Sequence, residues 1–261
     1  MGSFTGTTRR LLEQAVKKSG RTSTVQLPAA FARNRHPGEQ APQLSDLFRR
    51  GEVPLKLYLT LLMLTRKAPH ELHRVVADHY WAVLLGYEEL NEADPIPDAG
   101  TRRIRRGMDT LEKKALLTRE RIPGRGFKIT VVHPLGSLTA PYITIPIQFW
   151  SRGWINVMSA RAVFVYLCLR LVLAGRPDEQ GAHVSSWDRK CFAISDDTWQ
   201  RGLKELVALQ LVRTETGRVA ADIWSTDLHA RKVYYLNNTY LREHESPEDS
   251  VDVTTPNNKD L

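Results

Sequence analysis

The chain has only two cysteines in 261 residues, Cys168 and Cys191. Neither sits in a CxxC pair or in a Cys/His group with zinc-ligand spacing, so a disulfide framework, a structural metal and a cofactor are not expected. Long apolar runs are lacking too. The most hydrophobic stretch, residues 162–174, is interrupted by Arg170 and falls short of the ~20 residues that cross a bilayer. No membrane association is expected. The first twenty residues carry no continuous apolar core and no small-residue cleavage site, so a cytoplasmic location is expected. Also missing are a GK[ST] phosphate loop and an HExxH helix. His70, His73 and His79 have no metal-binding pattern and read as loop and surface residues. The adjacent acids Asp196 and Asp197 would point about 100° apart on a helix, and no nucleophile accompanies them. Enzymatic chemistry is therefore not expected.

What is present is an ordinary globular composition, 42% hydrophobic and 25% charged, in a length that suits two domains of about 100 residues. The formal net charge is +8 and the pI about 9.6, which favours a polyanionic partner. Its distribution is uneven. Residues 101–130 hold ten basic side chains against three acidic ones, a net of +7, and leave about +1 to the remainder. The basic character is one local patch.

Residues 1–43 read as a basic N-terminal arm and an irregular, Pro- and Gly-containing lead-in. Periodicity begins at Leu44. Residues 55–65 (LKLYLTLLMLT) are apolar nearly all round, as in a central buried helix. A second helix spans 76–85 and stops at Gly86, a suitable C-cap. After an acidic, Pro-containing segment (88–98), a third helix sets Ile104, Met108, Leu111 and Ala115 on one stripe. Arg102, Arg106 and Lys113 then face outward, and Arg103 and Arg105 flank the stripe. Residues 117–122 and 127–132, joined by Pro123-Gly124-Arg125-Gly126, form a hairpin pattern. The order recurs. A strand at 142–149 precedes a long apolar helix from Ala160, capped by Ser159. A short segment at 187–192 leads into a helix capped by Ser195, with Trp199, Leu203 and Leu206 inward. A hairpin begins at Leu211, turns near Thr216-Gly217 and returns at 233–236. Residues 242–261 read as an acidic disordered tail.

The stretches WAVLLGYEE, GTRRIRRGMDTLEKKALLTRER and ISDDTWQRGLKELVALQLV resemble the second-helix, recognition-helix and wing segments of winged-helix DNA-binding proteins. Over residues 44–240 the plan is similar to the tandem winged-helix proteins of bacteria, which include plasmid replication initiators and regulators of mobile elements. The resemblance implies a mainly α fold with small β-hairpins (α+β), as two tandem winged helix-turn-helix domains, residues 44–135 and 136–241. The 88–98 segment departs from the pattern, being longer than the 3–4-residue turn of that motif, and bears on how the first recognition helix docks.

A helix entering the major groove needs guanidinium forks for guanine edges and further cations for phosphates. In the first domain the expected DNA-binding residues are Thr101, Arg102, Arg103, Arg105, Arg106, Lys113, Arg125 and Lys128. Arg102 and Arg106 are assigned to bases, Arg103 and Arg105 to phosphates. Arg125, between glycines at the hairpin tip, suits a narrow minor groove. In the second domain Thr198, Arg201 and Lys204 are the candidates, on a helix whose acidic start, Asp196-Asp197, complements the helix dipole but repels phosphate. Trp150 and Trp154 read as packing between the domains, with a platform for single-stranded nucleic acid as the alternative. The expected function is sequence-specific binding of double-stranded DNA by a transcriptional regulator at the nucleoid, acting as a homodimer on a palindromic site. The alternative is an initiator of plasmid or mobile-element DNA replication that binds repeated sites and recruits a helicase.

Overall fold

The computed structural model describes residues 6–72, 76–88, 99–123, 126–134, 141–220 and 228–247. Helix α1 (Gly6–Ser19) places Leu12, Ala15 and Val16 at i, i+3, i+4 spacing and buries all three. Strand β1 (Thr24–Pro28) and a 3-10 turn (Ala29–Phe31) follow, then helices α2 (Gln43–Arg50), α3 (Glu52–Leu64), α4 (Asp78–Leu84) and α5 (Ala99–Lys113). The hairpin β2 (Leu117–Ile122) and β3 (Gly126–Val131) ends the first half. The second half comprises β4 (Tyr142–Pro146), α6 (Gln148–Ser151), α7 (Trp154–Val157), α8 (Ala160–Val172), β5 (Ala182–His183), α9 (Ser186–Cys191), α10 (Asp196–Ala208), β6 (Val212–Ala220), β7 (Leu228–Leu236) and α11 (Asn238–Glu243). The fold is α+β, with small antiparallel sheets ordered β1-β4, β2-β3 and β5-β7-β6. Among the described residues no helix is long and apolar enough to cross a membrane.

Each half is built round one helix that is buried on every side. In α3 all residues from Val53 to Met63 are buried. In α8 the same holds from Ala162 to Leu169. Pro54 falls in the first turn of α3, where a missing amide hydrogen is tolerated. Ser159 caps α8 by accepting from the Ala162 amide at 3.3 Å, and Ser195 caps α10 by accepting from the Thr198 amide at 3.2 Å. Gly86, at φ +72°, takes the left-handed position just beyond α4.

One hydrophobic cluster joins the halves. Strand β1 pairs with β4 from Thr24↔Pro146 to Pro28↔Tyr142. Trp150 donates its indole N–H to Thr60 Oγ1 on α3 at 3.2 Å, and Lys56, 1% exposed, donates to the Asn156 carbonyl at 3.0 Å. Trp154 donates to the Leu241 carbonyl at 3.1 Å. Both tryptophans are fully buried, so neither offers a stacking face to a base.

Several expectations are revised. Residues 6–31 are part of the body rather than an arm. The apolar stripe of α1 has a core to bury against, and each such leucine contributes ~1.5–3 kcal/mol. Arg9 pairs with Glu245, and Arg21 donates to the last carbonyls of α3, those of Met63 at 2.7 Å and Leu62 at 2.9 Å. Residues 242–247 are likewise ordered: Ser246 is buried and its amide donates to the Arg152 carbonyl at 2.9 Å. Gly217 is not at a turn. It lies within β6 opposite Arg231, where a Cβ would come within 2.9 Å of Val233 Cγ2. Ala115 is exposed, past the end of α5, at φ +54°. The buried stripe of α5 is Ile104, Gly107, Met108 and Leu111.

Candidate nucleic-acid interface

Helix α5 is held on three sides. Its buried stripe packs on α3 and α4, and at Gly107 a Cβ would come within 2.9 Å of Val53 Cγ1. Its start is fixed by Glu88, whose carboxylate accepts the Thr101 amide at 2.5 Å and the Thr101 hydroxyl at 2.7 Å, and also meets His79 Nδ1 at 2.7 Å. A carboxylate there complements the positive end of the helix dipole. Its end is fixed by Arg119 of β2, which bridges Asp109 at 2.6 Å and Glu112 at 2.5 Å. The hairpin is thereby locked to the helix.

Thr101 is therefore corrected. It is 3% exposed, with its hydroxyl turned inward to Glu88, and it anchors the helix instead of facing a ligand. Arg102, Arg103, Arg105, Arg106 and Lys113 are all exposed. Their surroundings differ. Arg105 pairs with Asp78 at 3.1 Å, and the Arg103 guanidinium lies 4.5 Å from the Tyr87 ring centroid. The side chains of Arg102, Arg106 and Lys113 make no ion pair, hydrogen bond or ring contact with any described residue. Lys128 is half-buried and pairs with Glu71 at 2.8 Å, and Lys114 pairs with Asp46 at 2.8 Å. Arg125 lies outside the described residues. The basic run is thus neutralised in part by acids distant in sequence, and among the described residues the cations left without an anionic partner include Arg102, Arg106 and Lys113 on the outward face of α5 and Arg121 on β2.

On α10, Thr198 is half-buried with its hydroxyl 2.8 Å from Ser195 Oγ, Arg201 is exposed and pairs with Asp197 at 3.0 Å, and Lys204 is exposed. Asp196 pairs with Arg189 at 2.6 Å. Both acids at the start of α10 therefore have a cation beside them, which lessens the repulsion expected from sequence.

Behind the arginines runs a polar chain that sequence reasoning did not find. Tyr87 donates its hydroxyl to Glu52 Oε1 at 3.2 Å, and the same oxygen meets Lys56 Nζ at 2.8 Å. Burial lowers the Lys56 pKa, against the pull of Glu52, and burial raises that of Tyr87. Two further arginines, Arg49 and Arg50, end α2 beside α5. Gly51 marks the end of α2 in the sequence, but nothing there signals that this end lies beside α5, since the contact joins segments fifty residues apart. The same is true of the exposed Arg218, Arg231 and Lys232 on β6 and β7.

The arrangement presents cations on a rigid helix next to a hairpin. Among the described residues no group of three or more His, Cys, Asp or Glu could hold a metal ion. No family model, curated protein or solved structure matches the chain.

Proposed function

We propose that the chain binds double-stranded DNA sequence-specifically, each half serving as a winged helix-turn-helix, with α5 and the β2–β3 hairpin as the dominant reader. The observation that carries the reading is the outward face of α5, where Arg102, Arg106 and Lys113 lack any anionic partner among the described residues while the flanking Arg105 has one. Like charges held this close on a fixed helix repel one another, and a polyanion relieves that cost. Guanidinium forks at the centre of the face suit guanine O6 and N7 in the major groove. In this reading the protein regulates transcription and performs no chemistry of its own.

A second reading, an initiator of plasmid or mobile-element replication, is favoured by the single core that welds the two halves. One chain could then place two helices on successive sites of a direct repeat. Selection of bound fragments from genomic DNA by the purified protein tests both readings. A single inverted repeat beside a promoter supports regulation, and an array of direct repeats beside an A·T-rich segment supports initiation. Retention of no duplex above background would overturn DNA binding altogether.

A further inference from the structure

A groove of about 250 Å³ lies between the start of α3 and the side of α5, with Arg50, Arg103 and Arg106 among its walls. Three guanidinium-bearing residues from two helices thus border one small space. The acid on its wall is already engaged: Glu52 Oε1 meets Lys56 Nζ at 2.8 Å and accepts the Tyr87 hydroxyl at 3.2 Å. Asp46, the carboxylate nearest Arg50, is 3.8 Å from it and only 2.8 Å from Lys114. The Arg103 guanidinium lies over the Tyr87 ring at 4.5 Å, a contact that engages none of its N–H groups in an ion pair and leaves them to donate. The Arg106 side chain has no partner among the described residues. The groove therefore has a surplus of donors and positive charge and no free carboxylate to satisfy them, and planar forks of this kind match phosphate oxygens bidentately.

We infer that this groove seats one backbone phosphodiester of the duplex, clamped by Arg50, Arg103 and Arg106. The inference rests on the DNA-binding reading above and adds Arg50 to the interface. It also assigns Arg106 to phosphate. The last turn of α2 serves both halves, because Arg49, adjacent to Arg50, donates to the Ala193 carbonyl just ahead of α10 at 3.2 Å.

The test is the salt dependence of duplex binding by the full-length protein and by Arg50→Gln and Arg50→Lys variants. Each is measured on its selected site and on an unrelated duplex. Arg50 is half exposed and its only ion pair among the described residues is long, so thermal melting should confirm that both variants fold. One phosphate contact contributes about 0.9 to the slope of log K against log[salt]. Between 50 and 200 mM salt the natural protein should therefore lose ~3.5-fold more affinity than Arg50→Gln, equally on both duplexes. Arg50→Lys should keep the natural slope. A natural protein with a steep slope and an Arg50→Gln variant with the same slope would overturn the clamp and leave the DNA-binding reading intact. A natural slope near zero would overturn both. Binding of inorganic phosphate that Arg50→Gln abolishes, with the DNA slope unchanged, would assign the groove to a free anion and refute the inference.

Discussion

The Glu88 carboxylate caps α5 from outside the helix, accepting the Thr101 amide at 2.5 Å and the Thr101 hydroxyl at 2.7 Å. Both residues are buried, so the two Thr101 donors depend on Glu88 as their acceptor. The geometry separates positioning from charge. Glu88→Ala removes a negative charge close to the arginines of α5, and simple electrostatics would raise affinity for DNA. The structural role predicts the opposite. Two buried donors lose their acceptor, which costs ~1–3 kcal/mol or more of stability, and α5 loses its fixed start. Urea unfolding together with duplex titration should show lower stability and weaker binding. Tighter binding would refute the anchoring role.

Arg102 and Arg105 are both exposed on α5, yet among the described residues only Arg105 has an ion-pair partner, Asp78 at 3.1 Å. Arg102→Ala is expected to cost ~1–3 kcal/mol of specific binding, the value of a bidentate base contact. Arg105→Ala should cost less and act equally on specific and unrelated duplexes. Fluorescence anisotropy on both duplexes checks the contrast, and equal effects of the two substitutions would contradict it.

Much of this was legible in the sequence and some could not be. Ser159 and Ser195 announce their helices through local capping, and Ile104, Met108 and Leu111 give α5 its face by spacing alone. The strands flanking Pro123-Gly124 also follow from local pattern. What was missed is non-local. The pairing of Thr24 with Pro146 turns an apparent arm into part of the core. Asp78, Asp46 and Glu71 neutralise cations 27 to 68 positions away. Lys56 falls within the helix read as buried, but its acceptor, the Asn156 carbonyl of the second half, has no local signal. Thr101 precedes four arginines and so reads as part of their surface, but Glu88 draws it inward.

Lys56 and Glu52 form an ion pair with unequal burial, the side chains being 1% and 27% exposed. Glu52→Gln would strand an ammonium with no route to water, at a cost of ~3–5 kcal/mol. Lys56→Met leaves a carboxylate that still reaches solvent and still accepts from Tyr87, so its cost should be clearly smaller. Thermal or urea unfolding of the two variants decides the order. Greater loss from Lys56→Met would contradict the assignment of burial to the lysine.

His133 stacks on His70 with ring centroids 3.7 Å apart. Burial first, then the charges of His70 and Arg21, lower its pKa from 6.5 to about 4, against a hydrogen bond with Thr65. The folded protein therefore binds this proton less readily than the unfolded chain. The stability contribution is fully present above about pH 6.5 and is lost as pH falls towards 4. Urea midpoints measured from pH 6.5 to 5, above the range where ordinary carboxylates titrate, should decline. The decline should be shallower for His133→Asn, and an identical slope in that variant would place the effect elsewhere.

The central claim is that the outward face of α5, with its neighbours, meets the phosphates of a duplex. The salt dependence of binding to the selected site tests it most directly. If ~6–8 phosphates are neutralised, log K should fall against log[salt] with a slope near −5 to −7. The slope should become shallower by about one for each of Arg106 and Lys113 replaced by a neutral residue. A slope near zero, or one unmoved by removing all the free cations of α5, would contradict the account.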